Sequence, residues 1–300
     1  MGYSTRHRCA AVAAASTTVA LLLSGCGTSG KASLHDQLPE AIRKAGVIKV
    51  GASFTAAPVI FRNQQGQPEG LDPDIAAALE KVLGVKLEFQ DVGLFANVLP
   101  GLFDKKYDIA MSGITDTRAR EQGVDKNSNK INDGVDFVDY FMAGIGIVVG
   151  KGNADGIAKL DDLCGRTVTV KKGTIHDDLA GRQQKACDHL GKALKILETD
   201  ADAKALDNLK SGQADAYLTD FPKAQYNALT VDNGQTFAVA GPQLQPQPYG
   251  IALRKSDTVL RDVLTKAMNS LVLGTAYDGI LAKRQLAAGA IPVAVVNGSS

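Results

Sequence analysis

The sequence predicts an α/β protein of two lobes, each built on a mixed, mostly parallel sheet, with a two-strand hinge between them. Three observations predict it. A β-α-β-α-β order runs from Val47 to Met111, and a second one starts near Gly144 and ends at ADAYL. The halves share a device: LFDKKYDIAM (Leu102 to Met111) and LKSGQADAYL (Leu209 to Leu218) carry Leu and Asp (Asp108, Asp215) at matched spacing, so each ends a helix, turns and enters a strand. The chain leaves the first half near Phe141 and returns near Gln245, and two crossings make a hinge.

The N-terminus reads as a processed segment. Arg6, His7 and Arg8 precede an apolar, small-residue stretch from Cys9 to Leu23, then LLSGC. That order is a secretory signal over residues 1–25, and the stretch is too short and too rich in Ala, Ser and Thr to span a membrane. LSGC resembles the bacterial lipoprotein box, which makes Cys26 the lipidated residue and 26–44 an anchor and tether opening with GTSGKAS. The expected location is extracytoplasmic, with the membrane reached only through that lipid. The remaining stretch, about 275 residues, suits two domains. Without Arg6 and Arg8, 31 basic residues face 32 acidic ones, so the mature chain carries about −1 and has no basic excess for nucleic acid. Cys164 and Cys187 remain as an even pair in an exported chain, and a disulfide worth roughly 3 kcal/mol is expected. With His189 they are too few for a metal site.

Along the first half, VIKVGA alternates into a strand that ends at Ser53. The turn FRNQQGQPEG leads to LDPDIAAALEKVLG, a helix with Asp72 as N-cap, Pro73 in its first turn and Gly84 as its stop. VKLEF alternates as a strand, and Phe95, Val98, Leu99 and Leu102 recur at helical spacing. YDIAMSGITDTRAR then crowds Ser112, Gly113, Thr115, Thr117 and two arginines at one strand end. Hydroxyls, an approachable N–H and a planar cation are the chemistry of a carboxylate site. The polar stretch that follows places Asp125, Asn127, Asn129, Asp133 and Asp136 near calcium-loop positions, but Lys130 stands where Gly belongs and Asp136 where Glu does, so it reads as a solvated insertion.

The second half supplies TVTV, a helical segment from His176 to Cys187, KIL, a helix around Ala205 to Leu209, and ADAYL, which delivers Thr219 and Asp220. GPQLQPQPYG reads as the crossover, YGIAL as a strand, and Asp257 to Leu273 as a strongly periodic helix. The expected lobes are 45–141 plus 249–290 and 142–248, with a C-terminal tail at 291–300. Ligands of open α/β sheets sit beyond the carboxyl ends of strands. A cation from one half and a carboxylate from the other describe an α-amino acid.

These residues resemble the extracytoplasmic solute-binding proteins of ABC importers, in the cluster for polar amino acids (family 3). The resemblance spans the mature chain and rests on GLDPDIAAAL, FANVLPGLFDKKYDIAMSGITDTRAR, VDFVDYF, DDLCGRTVTVKKGT, LKSGQADAYLTDFP and YGIALRKSDTVLRDVLTKAMNSLVLGTAYDGIL. LCG with a later Cys187 resembles the actinobacterial lipoprotein branch, where the pair is bridged. The resemblance implies the two-lobed periplasmic-binding-protein-like fold (type II). It assigns Arg120 to the ligand carboxylate, with Arg118 a surface neighbour. Gly113 and Thr115 become donors, Thr174 the second-lobe donor, Asp220 the ammonium acceptor, Phe95 an aromatic wall and Lys171 a position for a polar or acidic side chain. Ser53 stands where the family often has an acid, and Ala56 and Ala57 where an aromatic is common, which leaves side-chain specificity open.

The resulting expectation is capture without chemistry: a monomer takes a free polar L-amino acid, of the glutamate or glutamine kind, and closes over it for an ABC permease, with no cofactor or metal. The alternative is a secreted lyase or dehydratase-type enzyme on the same fold, with His176 and Asp220 as an acid and base pair, although His176 also reads as an exposed residue opening a helix.

Overall fold

Two strands too long for either half alone organise the chain. In the computed structural model, which describes residues 1–2, 33–125 and 127–299, VDFVDYFMAGIGIVVG is one continuous strand, Val135–Gly150, buried at nearly every position. A strand buried on both faces needs an unbroken apolar run, and this one has it. It pairs antiparallel with a second long strand, Phe237–Arg254. The signal segment, Cys26 and the first residues of the tether lie outside the described residues.

In chain order the strands are β1 (Val47–Ala52), β2 (Thr55–Ala56), β3 (Ile60–Arg62), β4 (Pro68–Glu69), β5 (Lys86–Asp91), β6 (Ile109–Ala110), β7 (Val135–Gly150), β8 (Thr167–Lys171), β9 (Lys195–Thr199), β10 (Ala216–Asp220) and β11 (Phe237–Arg254). The helices are α1 (Leu34–Gln37), α2 (Glu40–Ala45), α3 (Leu71–Leu83), α4 (Val98–Phe103), α5 (Arg118–Gln122), α6 (Ile175–His189), α7 (Asp202–Lys210), α8 (Phe221–Thr230), α9 (Thr258–Val272) and α10 (Thr275–Lys283). The large sheet has the order β5-β1-β6-β11-β7-β10-β8-β9. β5, β1 and β6 are parallel on one side, β10, β8 and β9 on the other, and antiparallel β11 and β7 stitch the two groups together. The fold is therefore the expected two-lobed mixed α/β architecture, but the two sheets expected are one continuous eight-stranded sheet, because β7 and β11 run through both halves and pair with both groups of strands.

Each group of strands is covered on both faces, as parallel strands require. Ile48, Val50, Ile75, Leu79, Ile109, Leu264 and Met268 form one core, and Val98, Leu102, Tyr107, Phe137 and Ala252 pack on the opposite face. In the second group, Ile145, Ile147, Val168, Leu179 and Leu218 form the core, with Val148, Tyr217, Ala224 and Phe237 behind it. Cys164 and Cys187 are joined by a disulfide that ties the segment before β8 to α6.

Several local expectations are corrected. GPQLQPQPYG is not a free crossover but the middle of β11; Pro242 and Pro246 fall where the register slips, between Ala240 and Leu244 and between Leu244 and Gln247, so fewer ladder N–H donors are needed there, while Pro248 stays in register opposite Met142. Gly70, not Asp72, is the N-cap of α3: its φ of 134° lies outside the range L side chains favour, and a Cβ there would meet Val59 O at 2.3 Å. Asp72 turns inward and is fully buried. The tether expected through residue 44 already contains α1 and α2, and Leu38 and Ile42 enter the main core. α8 went unforeseen, although Pro222 near its start is a good helix opener. Residues 291–299 are held: Val296 bridges Val138, and the Asn297 side chain accepts from Phe137 N–H at 2.8 Å. In the polar insertion, Asp125 accepts the Asn127 and Asn129 N–H groups, while Asp136 pairs with Arg261 at 2.8 Å and is turned away from it. No helix among the described residues is long and apolar enough to cross a membrane.

Candidate ligand-binding site

The carboxyl ends of β6, β8 and β10 converge where β7 and β11 pass from one half to the other. The structure brings Phe95, Gly113, Thr115, Arg120, Lys171, Thr174 and Asp220 onto the lining of one small cavity, joined by Ser112, His176 and Lys223. A wider cleft beside it, lined by Leu99, Phe103, Arg182 and Gln245, shares Arg120 with it.

Arg120 is set by its helix. Thr117 caps α5 by accepting Arg120 N–H at 3.2 Å, and Arg120 Nη1 donates to Thr115 O at 2.7 Å. The guanidinium stands over Phe95, 5.7 Å from the ring centre. It has no ion pair among the described residues. Burial lowers its pKa, and the fields of Asp178, Asp220 and Asp116 oppose that. Arg118, its neighbour in sequence, is exposed.

Other donors are partly committed. Gly113 N–H donates to Asp72 Oδ2 at 3.0 Å, and Tyr140 O–H donates to Asp72 Oδ1 at 2.6 Å. Burial pushes the Asp72 carboxyl up to about 7 against those two bonds. The Thr174 hydroxyl caps α6, donating to Lys171 O at 2.6 Å and accepting Asp177 N–H at 3.3 Å. The Gly113 N–H and the Thr174 hydroxyl are therefore engaged within the protein. Ser53 is buried but does not line the cavity; its hydroxyl donates to Gly93 O at 2.6 Å and lies 3.1 Å from Thr55 Oγ1.

The second half contributes a buried chain of alternating charge. Lys171 Nζ lies 2.7 Å from Asp202 Oδ2, Lys223 Nζ 3.2 Å from Asp202 Oδ1 and 2.8 Å from Asp220 Oδ2, and His176 Nε2 3.3 Å from Asp220 Oδ1. Tyr217 O–H donates to Asp202. Burial alone would raise Asp220, but Lys223 and then His176 outweigh it and hold the carboxyl well below its ordinary range. Lys223 is held above its ordinary range because Asp202 and Asp220 overcome the burial that would lower it. Lys171 is shifted down, first by burial and then by Lys223, despite Asp202. It also faces Phe95, 5.2 Å from the ring centre.

Sequence reasoning missed Lys223, Asp202 and Asp72, and read His176 as exposed, whereas all four are buried. The available signal for Lys223 was its place three residues after Asp220, one helical turn on. Chemically, the cavity offers an unpaired planar cation, two more cations and a carboxylate within one desolvated space, which suits a small charged solute.

Known proteins are similar to this chain over most of its length. A profile of the bacterial extracellular solute-binding proteins, family 3, matches residues 48–284. The L-cystine-binding protein TcyJ of Escherichia coli (strain K12) is 27% identical over 255 residues, covering 85% of this chain and 87% of that protein. The arginine-binding protein ArgT of Corynebacterium glutamicum is 27% identical over 267 residues, covering 88% and 82%. Among solved structures, the ancestral amino acid-binding protein AncCDT-1, a precursor of cyclohexadienyl dehydratase, superposes with a TM-score of 0.69 at 32% identity, covering 84% of this chain and 99% of that one. With its fold, its interlobe cavity and a family match over most of its length, the chain belongs to the bacterial extracellular solute-binding proteins, family 3.

Proposed function

We propose that this chain is a substrate-binding lipoprotein, anchored through Cys26, that captures a polar L-amino acid of the glutamate or glutamine kind outside the membrane and delivers it to an ABC permease. It acts as a monomer of the actinobacterial lipoprotein type, with lobes at 45–141 plus 249–290 and at 142–248. The ligand carboxylate docks on Arg120 and Thr115, and closure brings Asp220 to its ammonium and the Thr174 backbone N–H to its carboxylate. Closing expels water and strengthens each charge pair.

What supports this reading most is Arg120, a half-buried guanidinium with no ion pair among the described residues, lining the same cavity as Asp220. A thermal-shift panel of free amino acids tests it: a ligand at a hundred times its Kd adds about 2.7 kcal/mol of stability. No shift with any amino acid removes the reading. Detergent partitioning of the wild type against Cys26→Ala tests the anchor.

A second reading, a lyase or dehydratase-type enzyme, draws on the buried His176–Asp220 approach at 3.3 Å and on the likeness to AncCDT-1. Product formed from candidate substrates by the purified protein, and lost in His176→Ala, would favour it.

A further inference from the structure

The short ladder of β2 and β3 points its side chains two ways. Ala56 lies opposite Ile60, and that pair packs in one cluster with Ala52 of β1 and Phe89 of β5. Thr55 lies opposite Phe61, and residues paired across an antiparallel ladder share a face, so this pair turns the other way. Both of its members meet the second half. The Phe61 ring lies 6.4 Å from that of Tyr226 in α8, tilted by 39°, and Lys171 Nζ of β8 lies 3.4 Å from Thr55 Oγ1. Ala56, beside Thr55, and Lys223, one turn before Tyr226, both line the cavity, so these contacts run along its rim.

Each ring is fixed to its own half. Arg62, the next residue of β3, pairs with Asp91 of β5 at 2.8 Å and stands over Phe54, 4.9 Å from the ring centre. α8 is pressed onto β7: Ala224 is buried in one cluster with Val148 and Phe237, and a Cβ at Gly146 would come within 2.7 Å of the Ala224 methyl group. A contact between two groups mounted in this way exists only while the halves are together, so it favours that arrangement over any in which they are apart. Neither ring lines the cavity, so the contact does not involve the ligand. Aromatic pairs at such a separation change an equilibrium constant by roughly threefold to tenfold.

We propose that Phe61 and Tyr226 form a latch on one rim of the cavity, which holds the two halves closed and so sets ligand affinity without touching the ligand. Opening must precede release, so the latch acts chiefly on the off-rate. The inference rests on the amino acid-binding reading above and adds to it two affinity-determining residues outside the site.

Calorimetric titration of the full chain with glutamate and glutamine tests it, together with the radius of gyration of the free protein from small-angle X-ray scattering. Phe61→Ala and Tyr226→Ala are each expected to weaken Kd about threefold to tenfold, mostly through faster release, and to enlarge the free protein. Tyr226→Phe keeps the ring and should stay within about twofold of the wild-type Kd, with an unchanged radius. The double Ala variant should bind no more weakly than the weaker single one, because one contact is lost only once. Should Tyr226→Ala fail to fold, Phe61→Ala carries the test from the other half. A merely structural role for the rings would lower the unfolding midpoint and leave the radius where it was. Folded Ala variants with the wild-type radius or the wild-type Kd overturn the latch, as does a double variant whose losses add. A wild type that binds neither amino acid, while the Ala variants are enlarged, sinks the amino acid reading and keeps the latch; with their radius unchanged, both fall.

Discussion

Asp202 sits between Lys171 and Lys223, one carboxylate oxygen to each, at 2.7 and 3.2 Å. All three are buried. One carboxylate thus bridges two lysines that would otherwise repel each other in a medium where charge is poorly screened, and Asp220 supplies the second negative charge at Lys223.

Asp202→Ala is therefore expected to destabilise the protein by about 3–5 kcal/mol, the range for breaking a buried pair and stranding its partners. Urea midpoints at pH 7 measure it. A loss below about 1 kcal/mol would mean that the lysines find water or other acceptors when Asp202 is gone.

The acids behind the site give a pH dependence of definite sign. Asp116, Asp139 and Asp72 are all raised, mainly by burial, to about 8, 7 and 7. Asp116 and Asp139 lie together beneath the C-terminal segment, accepting the Ser299 and Gly298 N–H groups. A carboxyl raised in the folded state holds its proton after the unfolded chain has lost it, so stability falls as pH rises from about 4 to about 8. Asp202 and Asp220, which are lowered, lose their contribution only on the acid side of that window. Thermal unfolding should show a lower midpoint at pH 8 than at pH 5, and Asp116→Asn should flatten the trend. A midpoint that rises across this range contradicts the assignment.

The disulfide closes a sequence separation of 23 residues, and loop-closure entropy puts its contribution at about 3 kcal/mol. Cys164→Ser with Cys187→Ser should lower the unfolding midpoint accordingly while leaving the binding stoichiometry unchanged. A double mutant as stable as the wild type would show that the rest of the α6 packing already fixes this loop.

Where one element decides its own fate, the sequence was readable. α9 carries Leu260, Val263, Leu264, Ala267, Met268 and Leu271 at helical period and buries all of them. α6, α7, β8, β9 and β10 likewise follow from period and flanking turns. The long strands were less legible because Gly144 and Gly146 in β7, and the Pro and Gln run in β11, look local and breaking. Pairing between the two strands overrides that appearance. Within the candidate site, Arg120 and Asp220 were visible at strand ends, whereas Asp202 was not. Its partners come from β8 and α8, and nothing local in ADAKALDNLK announces two lysines. Asp72 misled for a related reason: an Asp before a helical run is usually a cap, and here a glycine took that position and freed the carboxylate to brace Gly113.

The most direct test of the central claim is a calorimetric titration of Arg120→Ala with the amino acid that the wild type binds best, alongside circular dichroism to establish that the variant is folded. The account predicts a loss of about 2–5 kcal/mol, a Kd weakened by roughly 30-fold or more, because the ligand carboxylate would be buried without its guanidinium. A folded Arg120→Ala protein that binds within about twofold of the wild-type Kd would contradict it.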